Sequence, residues 1–372
     1  MKILHLVNHL NTGGITTYVR TLAAEQVKAG HQVFVWGAAG NDSAQLRAAG
    51  ITVIEDVPHC KSELSPRLWL ALPKLVRILK SEAIDIAHAH TRVTQVLSAV
   101  ATVFVKIPYV STAHMFYKRR LGRRLFPCWG RTVIAISKFM EQGLREIFSA
   151  RELPPITVVP NGIDVEKLRG KLAEVDRDRV RENYGYRKEE LVVLSLSRLI
   201  PVKGVHSLIE AFAIARQEIP EMKVLVAGAG EPEYTQRLKD RVAELKLERE
   251  VLFIGNEREI EKPLKAGDIF AAPYIWPEAF GLSVLEAMTA GLPVVGSLSG
   301  GVVELLGEGK YGLLFERDNP ADLARGLIRF AKDATLRSEM GRVAANAALE
   351  YTASKMCERI QVVYEKVLAE RT

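Results

Sequence analysis

Short runs of apolar residues alternate along the chain with longer stretches in which apolar residues recur every third or fourth position. Runs at residues 3–7, 33–36, 84–87, 109–112 and 133–136 predict buried strands, and residues 15–29 predict a helix closed by Gly30. The second half repeats the scheme, with strands predicted at 191–196, 223–227, 251–254, 269–272 and 293–295 and helices at 205–218 and 234–245. Such alternation buries parallel sheets beneath helices, so the expected class is α/β with two doubly wound domains. A chain of 372 residues is also long for one core. The charged stretch 167–188 interrupts the pattern and reads as a linker between a first domain at 1–166 and a second at 189–351. A final amphipathic helix is predicted at 352–368.

Polar residues with chemical potential fall just after the predicted strands, where open α/β sheets bind ligands. Glu278 and Glu286 are separated by seven residues, Glu278 in a turn made by Pro277 and Gly281 and Glu286 about one turn into a helix that ends at Gly291 and Pro293. The unpaired N–H groups of that helix start, around Phe280, Gly281 and Leu282, favour a phosphate. One carboxylate can then hold sugar hydroxyls and the other ribose hydroxyls. Arg198 and Lys203 follow the strand at 191–196, and two cations beside a pyrophosphate neutralise the charge that grows as a glycosidic bond breaks. Gly13 and Gly14 follow the first strand without the third glycine of a dinucleotide fingerprint. Gly228 and Gly230 permit close approach of a ribose or base. Asp176-Arg177-Asp178 has the spacing of a metal motif but lacks a preceding strand, so it reads as solvated linker. His88 and His90 end a strand and are read as pointing to opposite faces, a poor metal pair, with His90 a candidate for lining a cleft.

Taken in order, Gly13-Gly14, Val159-Pro160-Asn161-Gly162-Ile163-Asp164, Ser197-Arg198-Leu199 with Lys203-Gly204, the Glu278/Glu286 segment and Gly300-Gly301 with Glu304 resemble the retaining glycosyltransferases of the Glu-x7-Glu family. The resemblance implies the GT-B architecture, two facing Rossmann-like domains with the site in the cleft and the last helix, within 352–372, packed back on the first domain. It implies a nucleoside diphosphate sugar as donor, with UDP favoured over GDP, no required cofactor and no metal. His114, after the strand at 109–112, would lie beside the donor sugar, and Asn256 at the nucleobase. Glu304 would touch the donor.

Charge and composition then narrow the surroundings. Residues 1–180 hold 25 Lys+Arg and 15 Asp+Glu, a difference of +10, so the first half is expected to face something anionic. The segment 116–129 carries five cations, Arg119, Arg120, Arg123 and Arg124 among them, with no acid and with aromatic neighbours. That composition suits the acceptor side of the enzyme against an anionic membrane leaflet, and nucleic acid is the less favoured partner. No apolar run approaches membrane-spanning length, the first strand leaves no signal peptide, and the three distant cysteines read as reduced thiols. A cytoplasmic enzyme, peripheral at the inner face of the membrane, is the expectation. Its acceptor would be a glycan or a lipid-linked molecule in cell-envelope polysaccharide or lipopolysaccharide synthesis. A nucleotide-sugar epimerase or hydrolase, or a non-catalytic binding protein on the same fold, are the alternatives.

Overall fold

The computed structural model describes residues 1–55, 59–60, 62–117 and 121–370. They form two compact units, Met1–Gly162 with Thr352–Thr372, and Ile163–Tyr351. The doubly wound class holds in both.

The first unit is built on seven parallel strands, β1 (Lys2–His9), β2 (Gln32–Ala38), β3 (Thr52–Ile54), β4 (Ile86–Ala89), β5 (Tyr109–Ala113), β6 (Val133–Ala135) and β7 (Ile156–Val158), in the order β3-β2-β1-β4-β5-β6-β7. Alternation along β1 divides the two faces of the sheet. Leu4 and Leu6 join Phe34, Trp36, Leu75 and Leu97 in an apolar core. His5 turns to the other face, where Tyr18 and Gln26 of the helix Gly14–Lys28 and Tyr364 of the helix Ala353–Ala369 are buried. These two helices pack against each other. Thr352 caps the second of them, accepting a hydrogen bond from the Lys355 N–H at 3.2 Å.

The second unit has six parallel strands, β8 (Leu191–Leu196), β9 (Met222–Ala227), β10 (Val251–Gly255), β11 (Ile269–Ala272), β12 (Val294–Ser297) and β13 (Leu313–Phe315), ordered β10-β9-β8-β11-β12-β13. Its core sets Val193, Val224 and Ile269 of the sheet against Leu208, Phe212, Leu323 and Leu327 of the covering helices. The stretch 167–188, read from its charge as a linker, is instead part of this unit. It carries most of the helix Val165–Glu174 and all of Arg177–Asn183, started by Asp164 and Asp176 as caps. Asp176 is therefore a cap and no metal motif. Val165, Leu168, Leu172 and Val180 supply the buried stripe beneath the charges. Arg181, only 3% exposed, donates to Asp268 at 2.9 Å and to the carbonyls of Ala266 and Arg187 at 3.1 Å each. All three cysteines are free thiols, Cys60 and Cys357 buried.

Arg181→Ala removes the buried cation from Asp268 and from the carbonyls of Ala266 and Arg187, and with Arg177 and the Val192 N–H still on the carboxylate the loss is about 1–3 kcal/mol. The midpoint of the second unit's unfolding should fall accordingly in urea, whereas an unchanged midpoint would show that this pair carries no weight.

Candidate active site

In the second sheet the strand order reverses between β8 and β11, and the loops that follow them are laced together at that switch point. The N–H groups of Ile275 and Trp276 both donate to the Val202 carbonyl, at 3.2 and 3.4 Å. Gly204 ends the Pro201–Lys203 turn at φ 67°, and a Cβ there would lie 1.8 Å from the Pro273 carbonyl oxygen, so only glycine lets the loops meet. Across this junction the Lys203 ammonium pairs with the Glu278 carboxylate and stands 4.4 Å above the Tyr274 ring. Tyr274 was not anticipated from the sequence, although its place just beyond β11 was a signal. Its hydroxyl meets Ser283 Oγ at 2.8 Å, and burial, with Glu278 and Glu286 nearby, holds it protonated. Arg198 is exposed, and its guanidinium has no ion pair or hydrogen bond among the described residues.

Gly281, at φ 105°, starts the helix Leu282–Thr289, and no side chain caps its first turn. Glu278 lies before this helix with its carbonyl accepting the Gly301 N–H at 2.7 Å, and Glu286 lies within it. Burial alone raises the Glu286 carboxyl to about 7. The Phe280 side chain is buried against the Tyr351 ring, 5.8 Å between centroids, which leaves only its backbone for a ligand. Gly228 and Gly230 have an internal reason to be glycine. Added Cβ atoms would lie 1.8 Å from the Ser197 carbonyl and 1.9 Å from that of Leu199, because the loop after β9 is hydrogen-bonded along the loop carrying Arg198. Asn256 is exposed directly after β10, and Glu304 lies on the short helix Gly301–Leu305 beside the Glu278 loop.

In the first unit Gly13 and Gly14 are exposed at the start of the helix Gly14–Lys28, and added Cβ atoms would meet nothing closer than 4.0 Å. His114, half-buried at the end of β5, stands edge-on to Tyr18 at 4.7 Å. The expectation that His88 and His90 point to opposite faces is wrong. Residues two apart in a strand share a face, and their rings lie 4.2 Å apart. His5, in register with His88, joins them. The ligating atoms of His5, His88 and His90 lie within 4.8 Å of one another, all buried. Every ring nitrogen of the three is already hydrogen-bonded: His5 to Gln26 (2.7 Å) and His90 (3.0 Å), His88 to Tyr364 (2.6 Å) and Thr112 (2.7 Å), and His90 also to His114 (3.1 Å). Burial lowers the pKa of His5 to about 4, that of His114 to about 3 and those of His88 and His90 well below the usual value, so all four are neutral.

Of the two described cations of the basic segment, Arg123 departs from expectation. Arg119 and Arg120 lie outside the described residues. Arg123 is buried, bonded to Gln95 at 3.1 Å and sandwiched 4.3 and 4.2 Å from the rings of Tyr117 and Trp129. A cation that stacks on two aromatic faces and reaches an amide is better held inside than in water. The helix Leu121–Leu125 consequently shows solvent its apolar residues, with Leu121, Leu125 and Phe126 each about two-thirds exposed. Arg124 is exposed, 3.9 Å from Glu152. No helix among the described residues is long and apolar enough to cross a membrane.

Residues 12–167 match the model of Glycosyltransferase Family 4, and residues 176–347 match that of Glycosyl transferases group 1. The chain is 28% identical to the phosphatidyl-myo-inositol mannosyltransferase of Mycobacterium tuberculosis, over 95% of this chain and 93% of that one. It is 26% identical to the alpha-monoglucosyldiacylglycerol synthase of Streptococcus pneumoniae, over 85% and 74% of the two chains. The crystal structure of Anabaena HepE in complex with UDP-glucose superimposes with a TM-score of 0.83 at 24% identity, covering 98% of this chain and 100% of that one.

The raised pKa of Glu286 makes a signed prediction. The folded protein holds a proton there up to about 7, against an ordinary 4.5, so stability falls as pH rises between these values. Glu286→Gln removes that penalty. Its gain over the parent should be absent below pH 4.5 and grow to on the order of 1–3 kcal/mol above pH 7. A gain independent of pH, in thermal unfolding of the ligand-free proteins, would mean that Glu286 is not held protonated.

Proposed function

Starting from the fact that the chain is a glycosyltransferase of the GT-B fold, we propose that it transfers a sugar, with retention of configuration, from a nucleoside diphosphate donor seated on the second unit. UDP is favoured over GDP. The observation that carries this reading is the junction at the switch point, where Lys203 pairs with Glu278 ahead of an uncapped helix start, with the exposed Arg198 on the same loop as Lys203. The diphosphate takes Lys203 and Arg198, together with the backbone at Gly281 and Leu282. Glu278, released from Lys203, accepts hydroxyls of the sugar, and Glu286 accepts those of the ribose. Gly228 and Gly230 shape the loop beneath the donor, the base lies toward Asn256, and Glu304 borders the sugar.

On the first unit, Gly13, Gly14 and His114 are assigned to substrate contact. The open space at the two glycines supports a ligand there, since nothing in the protein requires them to lack side chains. The acceptor hydroxyl attacks from the face of the departing diphosphate through an oxocarbenium-like state, and a diphosphate oxygen takes its proton. Two cations on the leaving group do the work a divalent metal would otherwise do.

The acceptor is proposed to be a lipid-linked molecule or glycan of the cell envelope, presented at an anionic leaflet. The names of the mannosyltransferase and of the diacylglycerol-glucoside synthase support a lipid acceptor, and so do Leu121, Leu125 and Phe126, exposed beside a basic segment. Such apolar residues insert among acyl chains while the cations meet head groups.

Three experiments test these assignments. Glu286→Ala should weaken UDP binding roughly tenfold, the loss of one hydrogen bond to the ribose. Arg198→Ala and Lys203→Ala should lower turnover more than donor affinity, because the charge they meet grows toward the transition state. Activity should survive excess chelator, and abolition by chelator with rescue by a divalent ion would overturn the leaving-group assignment.

At the membrane, burying each large apolar side chain contributes about 2 kcal/mol and each cation near an anionic surface about 1 kcal/mol. Replacing Leu121, Leu125 and Phe126 with serine should therefore reduce sedimentation with anionic vesicles more than Arg124→Ala does. Salt should release only part of the bound enzyme. Complete release by salt, or no effect of the triple substitution, would remove this helix from the interface.

A further inference from the structure

We propose that Gln26, His5 and His90 form a row of positioning residues that fixes the proton of His114 on Nε2, leaving Nδ1 as a bare acceptor for a substrate hydroxyl. The proposal rests on the reading that His114 meets substrate.

A neutral imidazole has one N–H and one lone pair, so a line of hydrogen-bonded imidazoles must be polarised one way or the other. His5 Nε2 lies 2.7 Å from Gln26 Oε1, His5 Nδ1 lies 3.0 Å from His90 Nε2, and His90 Nδ1 lies 3.1 Å from His114 Nε2. The amide oxygen at the inner end can only accept. The proton of His5 therefore sits on Nε2, and its Nδ1 accepts from the Nε2–H of His90. By the same logic His90 Nδ1 accepts from the Nε2–H of His114. Reversing the row would require Gln26 to present its amide nitrogen to His5 in place of the oxygen that stands 2.7 Å from Nε2. His88 stands outside the row, both its nitrogens being taken by Tyr364 and Thr112. Burial keeps the imidazoles uncharged, and each bond polarises the next. At the outer end the His114 ring is held by its hydrogen bond to His90 and by the edge-to-face contact with Tyr18. The state of a half-buried nitrogen is thus decided by an amide three residues away along the row.

Two-bond nitrogen–proton correlation spectra of the full-length protein, labelled at histidine with 15N, read each tautomer directly. In the parent, His5, His90 and His114 should all be Nε2–H at neutral pH. Gln26→Leu removes the anchoring acceptor, and His114 should become a mixture of tautomers. Gln26→Glu should invert the row. A buried carboxyl takes up a proton, which it shares with His5, so that Nδ1–H of His5 donates outward and His114 ends as Nδ1–H. Both variants should keep the parent's UDP affinity, which also shows that the second unit is folded. Their turnover should fall roughly tenfold, as for loss of one hydrogen bond. An Nδ1–H tautomer of His114 in the parent overturns the proposal, as does a tautomer indifferent to both substitutions. So does zinc taken up stoichiometrically by the parent with displacement of these signals. A row that responds as described while turnover stays at the parent's level would leave the polarity argument standing and overturn the placement of His114 at the substrate.

Discussion

The arrangement of the second unit's loops depends on one constraint, the reversal of strand order between β8 and β11. Neighbouring parallel strands whose connections leave in opposite directions open a gap at their carboxyl ends, and the chain must close it with loops or with charge. Here it does both. Backbone hydrogen bonds to Val202 and the missing side chain of Gly204 draw the loops together, and the Lys203–Glu278 pair spans them above Tyr274. The pair is partly solvated, the two side chains 17% and 24% exposed, so its net worth is about 1 kcal/mol or less. A charge-assisted bond from Lys203 to a diphosphate is worth about 1.5–3 kcal/mol. On the proposed reading, exchange of partners therefore favours a diphosphate, and the pair holds both side chains near their places for little energy.

The glycines divide along the same line. Gly204, Gly228 and Gly230 lack side chains because carbonyl oxygens of neighbouring loops occupy the space, so their presence is explained by folding alone. Gly13 and Gly14 meet no such obstacle. A residue type that the folded chain does not need, at the start of a helix beyond the first strand of a doubly wound sheet, points outward to whatever approaches it. Sequence treats all five alike, and only the packing separates them.

How much could be read without coordinates depended on whether the signal was local. Runs such as Leu191–Leu196 and Ile269–Ala272 are found where periodicity put them, because burial on both faces imposes an unbroken apolar run. The turn holding Glu278 and the helix holding Glu286 were legible from helix-start signals. The helices at Val165–Glu174 and Arg177–Asn183 were hidden by charge, although Leu168 and Leu172 kept helical spacing. Arg123 was misread because nothing local distinguishes a cation stacked between Tyr117 and Trp129 from one in water. The histidines were misread for a simpler reason. Positions two apart in a strand share a face, and His5 joins them only through the pairing of β1 with β4, a long-range fact.

That histidine face also shows how buried ring nitrogens can all be satisfied, although the Gln26 amide nitrogen and the Tyr18 hydroxyl beside them are left without partners. Each orphaned ring nitrogen would cost about 1–3 kcal/mol, and an apolar substitute would cost nothing of the kind. Gln26, Tyr364 and Thr112 are placed so that every nitrogen of His5, His88 and His90 has a partner. Among the described residues the row leaves one ring nitrogen over, Nδ1 of His114, at its half-buried end. A fold that needed only stability would fill this face with leucine and valine, as it does on the opposite side of the same strands. Matching the ring nitrogens inward while leaving the odd one at the solvent end makes the burial of the row intelligible as support for that one atom.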